Sequence, residues 1–516
     1  MHSTSLTFPA LMGSALAATT DPALWTTAAL GGKTFVNQGL VGFGYIPASA
    51  RDSYGETLGG LGSAIALQKG TFKAGPNGTF TGRLITQPDR GYNVETTIDW
   101  QARHHSFDFV FSPYYGKSEL DFDTAAKTFS IQYKSTLLYS KAPGFLTSGL
   151  DAISSIPNTT TYPVLPAPDL TKLSVDAEGL VLNADGSFWT SDEYGPYIYR
   201  FGANGTLLQA IQPPIAVLPT IDGKLNFTSD RSPDFGRDAN QGFEGLTISD
   251  DGRTLFALLQ SATIQDGGGD KDTNRYTRLF AWDISTSGSS HLIGEWVVPL
   301  PQSKKGKTYA QSEIYALTST QFLVLSRDGH GHGDDGNDAK SDYKQADLFD
   351  ISNATDIHGT KFDETTPVAP KGKLDKAVVP ATYVPFVNYL NSTQLARFGL
   401  HNGMYKSLLH DNLDMRHSHL PFHGGTGRDV LDEPTDRTLI DAKWESFALA
   451  PVLDAESPDD YFLITMADND FITINGTALG KPYSASYGQD VDTQILVWRI
   501  TLPSVPRGSV SVSLGI

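Results

Sequence analysis

The chain of 516 residues has no cysteine. That excludes thiol nucleophiles, thiolate metal sites and disulfide staples, and it leaves the fold to be held by buried area and bound ligands. Basic charge is also scarce. With 39 Lys and Arg against 57 Asp and Glu, the net charge is −18, and no run of basic residues offsets it locally. Such a surface repels nucleic acid and anionic membrane, so neither is expected as a partner. No apolar stretch reaches the roughly 18 residues that a membrane span needs. No G-x-S-x-G elbow occurs, which argues against an α/β-hydrolase esterase.

What the chain does contain favours strands and turns. It has 50 Gly, 29 Pro and 21 Tyr, and turn clusters repeatedly interrupt short apolar runs. Four segments share a layout: EGLVLNADGSFWTSDEYGPYIYRF from Glu178, EGLTISDDGRTLFALLQSA from Glu244, EIYALTSTQFLVLSRDG from Glu313, and ESFALAPVLDAESPDDYFLITMADND from Glu445. Each opens on a glutamate, continues as an apolar strand, turns, and enters a second apolar strand. The glutamates are separated by 66, 69 and 132 residues, the last being twice 66. Recurrence of a strand-turn-strand unit at a fixed period means a radial array. The expected fold is therefore all-β, a single β-propeller of six or seven blades with long inter-strand loops. A partly helical insertion is expected at about 355–440, where NSTQLARFGLHNGMYKSLLHDN reads as helical. ETLGGLGSAIAL followed by RLITQPDRGYN reads as a first blade. QILVWRITLP is expected to pair with TFVNQGLVGFGYI and close the ring, which protects strand edges.

The N-terminus carries an apolar stretch and an Ala15-Leu16-Ala17 cleavage pattern, so residues 1–17 read as a signal peptide and 25–516 as the propeller domain. Seven N-x-S/T sequons, at Asn77, Asn158, Asn204, Asn226, Asn353, Asn391 and Asn475, fit a secreted, extracellular glycoprotein.

In a propeller the start of each inner strand faces one mouth of the central channel. Glu178, Glu244, Glu313 and Glu445 would then form a ring of carboxylates, which repel one another unless cations hold them. Calcium suits such a ring because it accepts about six to eight oxygen ligands with forgiving geometry. The alternative for each glutamate is to cap a neighbouring loop. The stretch SRDGHGHGDDGNDAKSDY, 326–343, begins with Arg327 and Asp328 near that ring. The part beyond does not fit an EF-hand pattern and reads as a solvated loop. RHSHLPFHGG, from Arg416, brings three histidines together and is expected to make loop contacts, and His104-His105 to be local packing or a surface pair.

Several stretches together resemble the phytase-like family, "esterase-like activity of phytase": GGLGS at 59–63, DRG at 89–91, DAEGL at 176–180, SDEYGPYIYRF at 191–201, NQGFEGL at 240–246, RDG at 327–329 and WES at 444–446. Where the family often reads Glu-Arg-Asp, this chain has Ser326-Arg327-Asp328. The resemblance implies a distant relative of calcium-dependent propeller phosphatases and phytases, with calcium in the carboxylate ring, with or without a second metal. The expected activity is metal-dependent hydrolysis of a small phosphoester. Metal ligands are expected among Glu178, Glu244, Glu313, Glu445, Asp89 and Glu193. Arg90 and Arg327 are expected to clamp phosphate, because a guanidinium matches two of its oxygens. Asp192 and Asp328 are the candidates to move the proton of water. The alternatives are a calcium-dependent lactonase or carboxylesterase, and a secreted propeller whose calcium is only structural.

Overall fold

A computed structural model describes residues 19–92, 96–334, 340–403, 436–485 and 489–516. Antiparallel strands dominate it, and five sheets of four or five strands account for most of them. Sheet I contains Ala64–Leu67, Phe80–Gln87, Arg103–Phe111 and Phe129–Leu138, with the short strand Lys73–Ala74 beside the second. Sheet II contains Ala177–Leu182, Phe188–Asp192, Ile198–Phe201 and Leu207–Ile211. Sheet III contains Phe243–Ile248, Thr254–Leu259, Tyr276–Asp283 and His291–Pro299. Sheet IV contains Ala310–Ala316, Gln321–Arg327, Lys344–Asp350 and Thr382–Asn388. Sheet V is built from both ends of the chain, in the order Lys443–Pro451, Asp460–Asp468, Thr493–Thr501, Lys33–Ile46, Thr26–Leu30.

The first strand of each sheet touches the first strand of the next, from I through V and back to I. An apolar cluster fills each of the five gaps. Tyr139, Phe188 and Phe201 lie between I and II; Trp189, Phe243 and Phe280 between II and III; Phe256, Phe322 and Phe349 between III and IV. Leu325, Trp444 and Trp498 fill the gap between IV and V, and Phe80, Phe109 and Phe462 the gap between V and I. A strand covered on both faces has no polar side to show. This is why runs such as TLFALL and QILVWRI carry continuous rather than alternating hydrophobicity.

Lys33–Ile46 pairs antiparallel with Thr493–Thr501, as the sequence suggested, so the last sheet is sealed by chain segments more than 400 residues apart. Five sheets among the described residues are fewer than the six or seven blades expected. The stretch 95–170, where the repeat is not clear in the sequence, supplies the outer strands of sheet I and two strands of a three-stranded accessory sheet made by Ser140–Ala142, Phe145–Ser148 and Leu173–Ser174. The stretch after 355 contributes the outer strand of sheet IV and a short helix, Ser392–Ala396, which Asn391 caps by accepting the Gln394 N–H. Residues 1–17, the part after 403 of the stretch expected to be helical, and RHSHLPFHGG lie outside the described residues. No helix among the described residues is long and apolar enough to cross a membrane.

Candidate metal centre

The inner strands of sheets II, III, IV and V share one irregularity at the same place. Each inserts an extra residue against its neighbour, a β-bulge. The bulge falls on Glu178-Gly179 in sheet II, on Glu244 in sheet III and on Glu445 in sheet V. A bulge re-aims the side chain it carries, and such features gather beside functional sites. The residue after the bulge has to be small where the next inner strand comes close. A Cβ on Gly179 would stand 2.5 Å from the Leu246 Cβ and 2.8 Å from the Glu244 carbonyl oxygen. The Glu-Gly pairs at 178–179 and 244–245 thus combine a re-aimed carboxylate with a close strand contact.

Sheet IV departs from this pattern. Its bulge residue is Ser312, and Glu313 follows one position later. One residue turns a side chain to the other side of a strand. Glu313 accordingly turns back onto the backbone, accepting the N–H groups of Ile314 at 2.7 Å and Leu246 at 3.2 Å. It lines a cavity of about 110 Å³ that the C-terminal helix Ser509–Leu514 borders through Ser513 and Leu514. The structure therefore brings Glu178, Glu244 and Glu445 together and sets Glu313 apart from them, because recurrence in the sequence was counted from the glutamate rather than from the bulge.

With the bulges superposed, three positions per sheet converge on the mouth: the bulge residue, the residue two before it, and the residue paired across from that one. They are Asp176, Glu178 and Glu193 in sheet II; Gly242, Glu244 and Gln260 in sheet III; Ala310, Ser312 and Arg327 in sheet IV; and Lys443, Glu445 and Asp468 in sheet V. The formal charge of these trios is −3, −1, +1 and −1 in turn. The charge is thus unevenly spread, most acidic at sheet II and positive only at sheet IV, while sheet V offsets two acids with Lys443. Asp89 and Arg90, from the loop after the second strand of sheet I, and Asp470 complete the mouth.

Two groups of carboxylates have ligand atoms within 4.8 Å of one another: Asp176, Glu178 and Glu193, all buried, and Asp89, Asp468 and Asp470. In the first group neither oxygen of Asp176 nor Oε1 of Glu193 has a hydrogen-bond donor among the described residues, and Oε2 of the adjacent Glu244 is in the same state. The Arg90 guanidinium lies 3.2 Å from Asp176 Oδ2, off hydrogen-bond geometry. Buried carboxylates this poorly served are costly as anions. Burial, and then the neighbouring acids, hold Glu178 and Glu193 well above the carboxylate range, and burial raises Asp176 as well. Burial and Glu445 push Glu244 up to about 8, although Arg327 and the Gln260 amide bonded to it pull the other way. Burial and Asp176 push Asp89 up to about 7. Glu445 behaves oppositely. Burial works upward on it too, but Lys443 and Arg327 outweigh that and bring it to about 2.

The two aspartates expected to transfer a proton are both engaged by neighbouring N–H and hydroxyl donors. Asp192 is fully buried and accepts the N–H groups of Asp176 at 2.9 Å, Gly195 at 2.8 Å and Tyr194 at 3.4 Å, so it pins the turn that presents Glu193. Asp328 accepts from Ser341 Oγ at 2.6 Å, Asp342 N at 2.6 Å, Tyr343 N at 3.0 Å and Lys344 Nζ at 3.1 Å. It anchors the loop behind Arg327, which also carries the His330–Asp334 contact of 2.8 Å. Residues 335–339 of that loop lie outside the described residues. Arg327 reaches Glu445, and both Arg327 and Arg90 retain an Nε–H without an acceptor among the described residues. His105 is buried on sheet I, and His104 beside it packs edge-on against Phe188. Of the sequons, Asn77, Asn158, Asn204, Asn353 and Asn475 are exposed, whereas Asn226 and Asn391 are half-buried.

Asp176, Lys443, Asp468 and Asp470 were missing from the sequence-derived site. Their signal was available in the motifs DAEGL and KWES, because alternate residues of a strand share a face, so the residue two before each glutamate accompanies it. Asp468 and Asp470 ended the fourth repeat in plain view.

The comparisons with known proteins agree with the resemblance. A family model described as "Phytase-like: Esterase-like activity of phytase" matches residues 75–389. A protein of Arthroderma benhamiae named "Uncharacterized secreted protein" is 34% identical over 492 residues, spanning 87% of this chain and 90% of that one. Among solved structures, a luciferin-regenerating enzyme covers 87% of this chain and 94% of its own at 9% identity and a TM-score of 0.26. The PQQ-bound aldose sugar dehydrogenase of Streptomyces coelicolor covers 94% and 96% at 10% identity, also with a TM-score of 0.26. Similarities that low establish no shared chemistry. The chain belongs to the phytase-like family.

Proposed function

We propose that this member of the phytase-like family is a secreted, metal-dependent hydrolase of small phosphoesters, built on a single five-bladed propeller with its reaction centre at one mouth of the channel. The observation that carries this reading is the buried trio Asp176, Glu178 and Glu193, with three carboxylate oxygens lacking donors and Glu244 Oε2 beside them. All the donors are hard oxygens, with no histidine among them, which fits calcium better than zinc. These four residues would hold the ion, which would supply Lewis-acid stabilisation of charge developing on a phosphoryl oxygen.

The chain's own residues do the remaining work. Asp192 fixes the backbone that carries Glu193, and Gln260 fixes Glu244. Arg327 stands in sheet IV at the position that Glu193 occupies in sheet II, so a substrate anion between them meets a guanidinium on the side away from the acidic trio. Arg90, anchored near Asp176, offers a second guanidinium. A planar guanidinium can bind two phosphate oxygens at once and orient the ester for in-line attack. The Ala15-Leu16-Ala17 cleavage pattern and the secreted relative support export.

The test is calcium titration of chelator-treated protein by calorimetry, together with assays of p-nitrophenyl phosphate, phytate and a lactone panel with and without calcium. Calcium binding that Asp176→Asn and Glu193→Gln each abolish, with phosphate release only when calcium is present, is the expected result. Sustained phosphate release after exhaustive chelation would refute the reading. Lactone opening without phosphate release would move the substrate class while leaving the centre in place.

A further inference from the structure

The two acidic groups at the mouth invite the reading of a two-metal centre. The register of sheet V points elsewhere. Lys443 pairs directly with Asp468 across the two inner strands, and its ammonium lies 2.9 Å from Asp468 Oδ2, 2.6 Å from Asp470 Oδ1 and 3.4 Å from Glu445 Oε1. Three carboxylates thus surround three N–H donors. Lys443 also occupies in sheet V the position that Asp176 occupies in sheet II, two residues before the bulge glutamate. The two sheets present the same trio around the same bulge, with the first acid of one exchanged for a lysine in the other. The donor-starved oxygens follow that exchange. Both oxygens of Asp176 and Oε1 of Glu193 in sheet II lack hydrogen-bond donors among the described residues, whereas neither Glu445 nor Asp468 in sheet V has an oxygen in that state.

We infer that Lys443 is a built-in cation filling the second metal position, so that the mouth takes one divalent ion, at Asp176, Glu178 and Glu193, and not two. This rests on the metal reading above and specifies it. The ammonium is held there by strand pairing rather than by a long side chain reaching in from a loop. A divalent ion in the Asp89, Asp468 and Asp470 group would have to displace it against the repulsion of a like charge.

The test is ion stoichiometry in metal-stripped, full-length protein, using calcium chloride alone as the probe and reading calorimetry alongside elemental analysis. Wild type is expected to bind one calcium per chain. Lys443→Met is expected to bind two, the second more weakly, and Lys443→Arg to return to one. Asp470→Asn, on a partly exposed residue, is expected to keep the single ion at unchanged affinity, and it decides the matter if Lys443→Met does not fold by circular dichroism. Two ions in wild type, a folded Lys443→Met that still binds one, or an ion lost in Asp470→Asn would each overturn the inference while leaving a metal centre standing. No ion in wild type would overturn the metal reading itself, and this inference with it.

Discussion

Removing divalent ions should make the stability of this protein fall as pH rises through neutrality. Asp89 and Glu244 supply two of the contributions, and Asp192, pushed up to about 7 by burial, acts with them. The buried His104 and His105, kept neutral in the fold, act the other way below about pH 6.5. Asp89 is carried from 3.8 to about 7 and Glu244 from 4.5 to about 8, burial being the largest cause for both. Between the unfolded and folded values of each group the folded chain keeps a proton that the unfolded chain has released. The folded state therefore binds more protons there, and the free energy of unfolding decreases with pH. A pKa unit corresponds to about 1.4 kcal/mol. Raising pH from about 5 to about 8 then costs on the order of 3 kcal/mol through Asp89 and on the order of 4 kcal/mol through Glu244. Glu445, brought to about 2, contributes stability that is lost only as pH falls toward that value, below this window. At roughly 2 cal/mol/K of unfolding entropy per residue, a chain of this length loses about 1 °C of Tm per kcal/mol. These two carboxyls alone then correspond to a Tm roughly 5–8 °C lower at pH 8 than at pH 5 for chelated protein, and the fall should be steepest between about pH 6.5 and 8 in scanning fluorimetry. Calcium at a hundred times its Kd should add about 2.7 kcal/mol and flatten the slope, because a bound cation keeps the carboxylates ionised. An ion-free Tm that is level or rising between about pH 6.5 and 8 would refute the reasoning, as would a slope that calcium leaves unchanged.

Two substitutions separate scaffolding from chemistry. Asp192→Asn removes an acceptor oxygen from a carboxyl that receives three backbone N–H groups. Burial pushes this group up to about 7, so above that pH the loss is of a charge-assisted hydrogen bond, about 1.5–3 kcal/mol. A lower Tm of that order at pH 8 is expected with calcium binding retained, whereas loss of calcium binding at unchanged Tm would place Asp192 in the metal centre. Arg327→Met removes the guanidinium that reaches Glu445. A roughly 10- to 100-fold rise in KM for p-nitrophenyl phosphate is expected, with calcium stoichiometry unchanged, and an unaltered KM would take Arg327 out of substrate binding.

Much of this architecture was legible in the sequence because its signals are periodic. Sheets II to V each begin at one of the four recurrent glutamates or within a few residues of it, and the pairing of the terminal strands followed from two apolar runs without other partners. What could not be read was register. Glu313 looks equivalent to Glu244 when glutamates are counted, but Ser312 carries the bulge, and a one-residue offset turns the carboxylate back onto the backbone. Asp192 and Asp328 looked catalytic because acidic residues end strands beside the mouth. The turns that follow them supply backbone N–H groups which consume those carboxylates, and a turn's hydrogen-bond demand is not written in spacing. Lys443 escaped notice for a related reason. A single lysine before a glutamate reads as surface charge until its cross-strand partner, Asp468, is known.

The distribution of charge also says what metal content alone can and cannot decide about substrate. Eight carboxylates, Asp89, Asp176, Glu178, Glu193, Glu244, Glu445, Asp468 and Asp470, share the mouth with three cations, Arg90, Arg327 and Lys443. The orphaned oxygens of sheet II call for a cation whether the substrate is a phosphoester or a neutral lactone, so calcium binding by itself does not discriminate between them. The placement of the cations does. A neutral ester gains little from guanidinium groups opposite the ion, whereas a phosphate dianion has charge to share with both sides of the mouth. Arg327 already neutralises Glu445, so an incoming phosphate competes with that pair rather than meeting a free cation. Net attraction then depends on the ion at sheet II tipping the balance. Calcium and a phosphoester should therefore bind with positive coupling, each tightening the other by the same factor, while a neutral lactone should leave the affinity for calcium where it was.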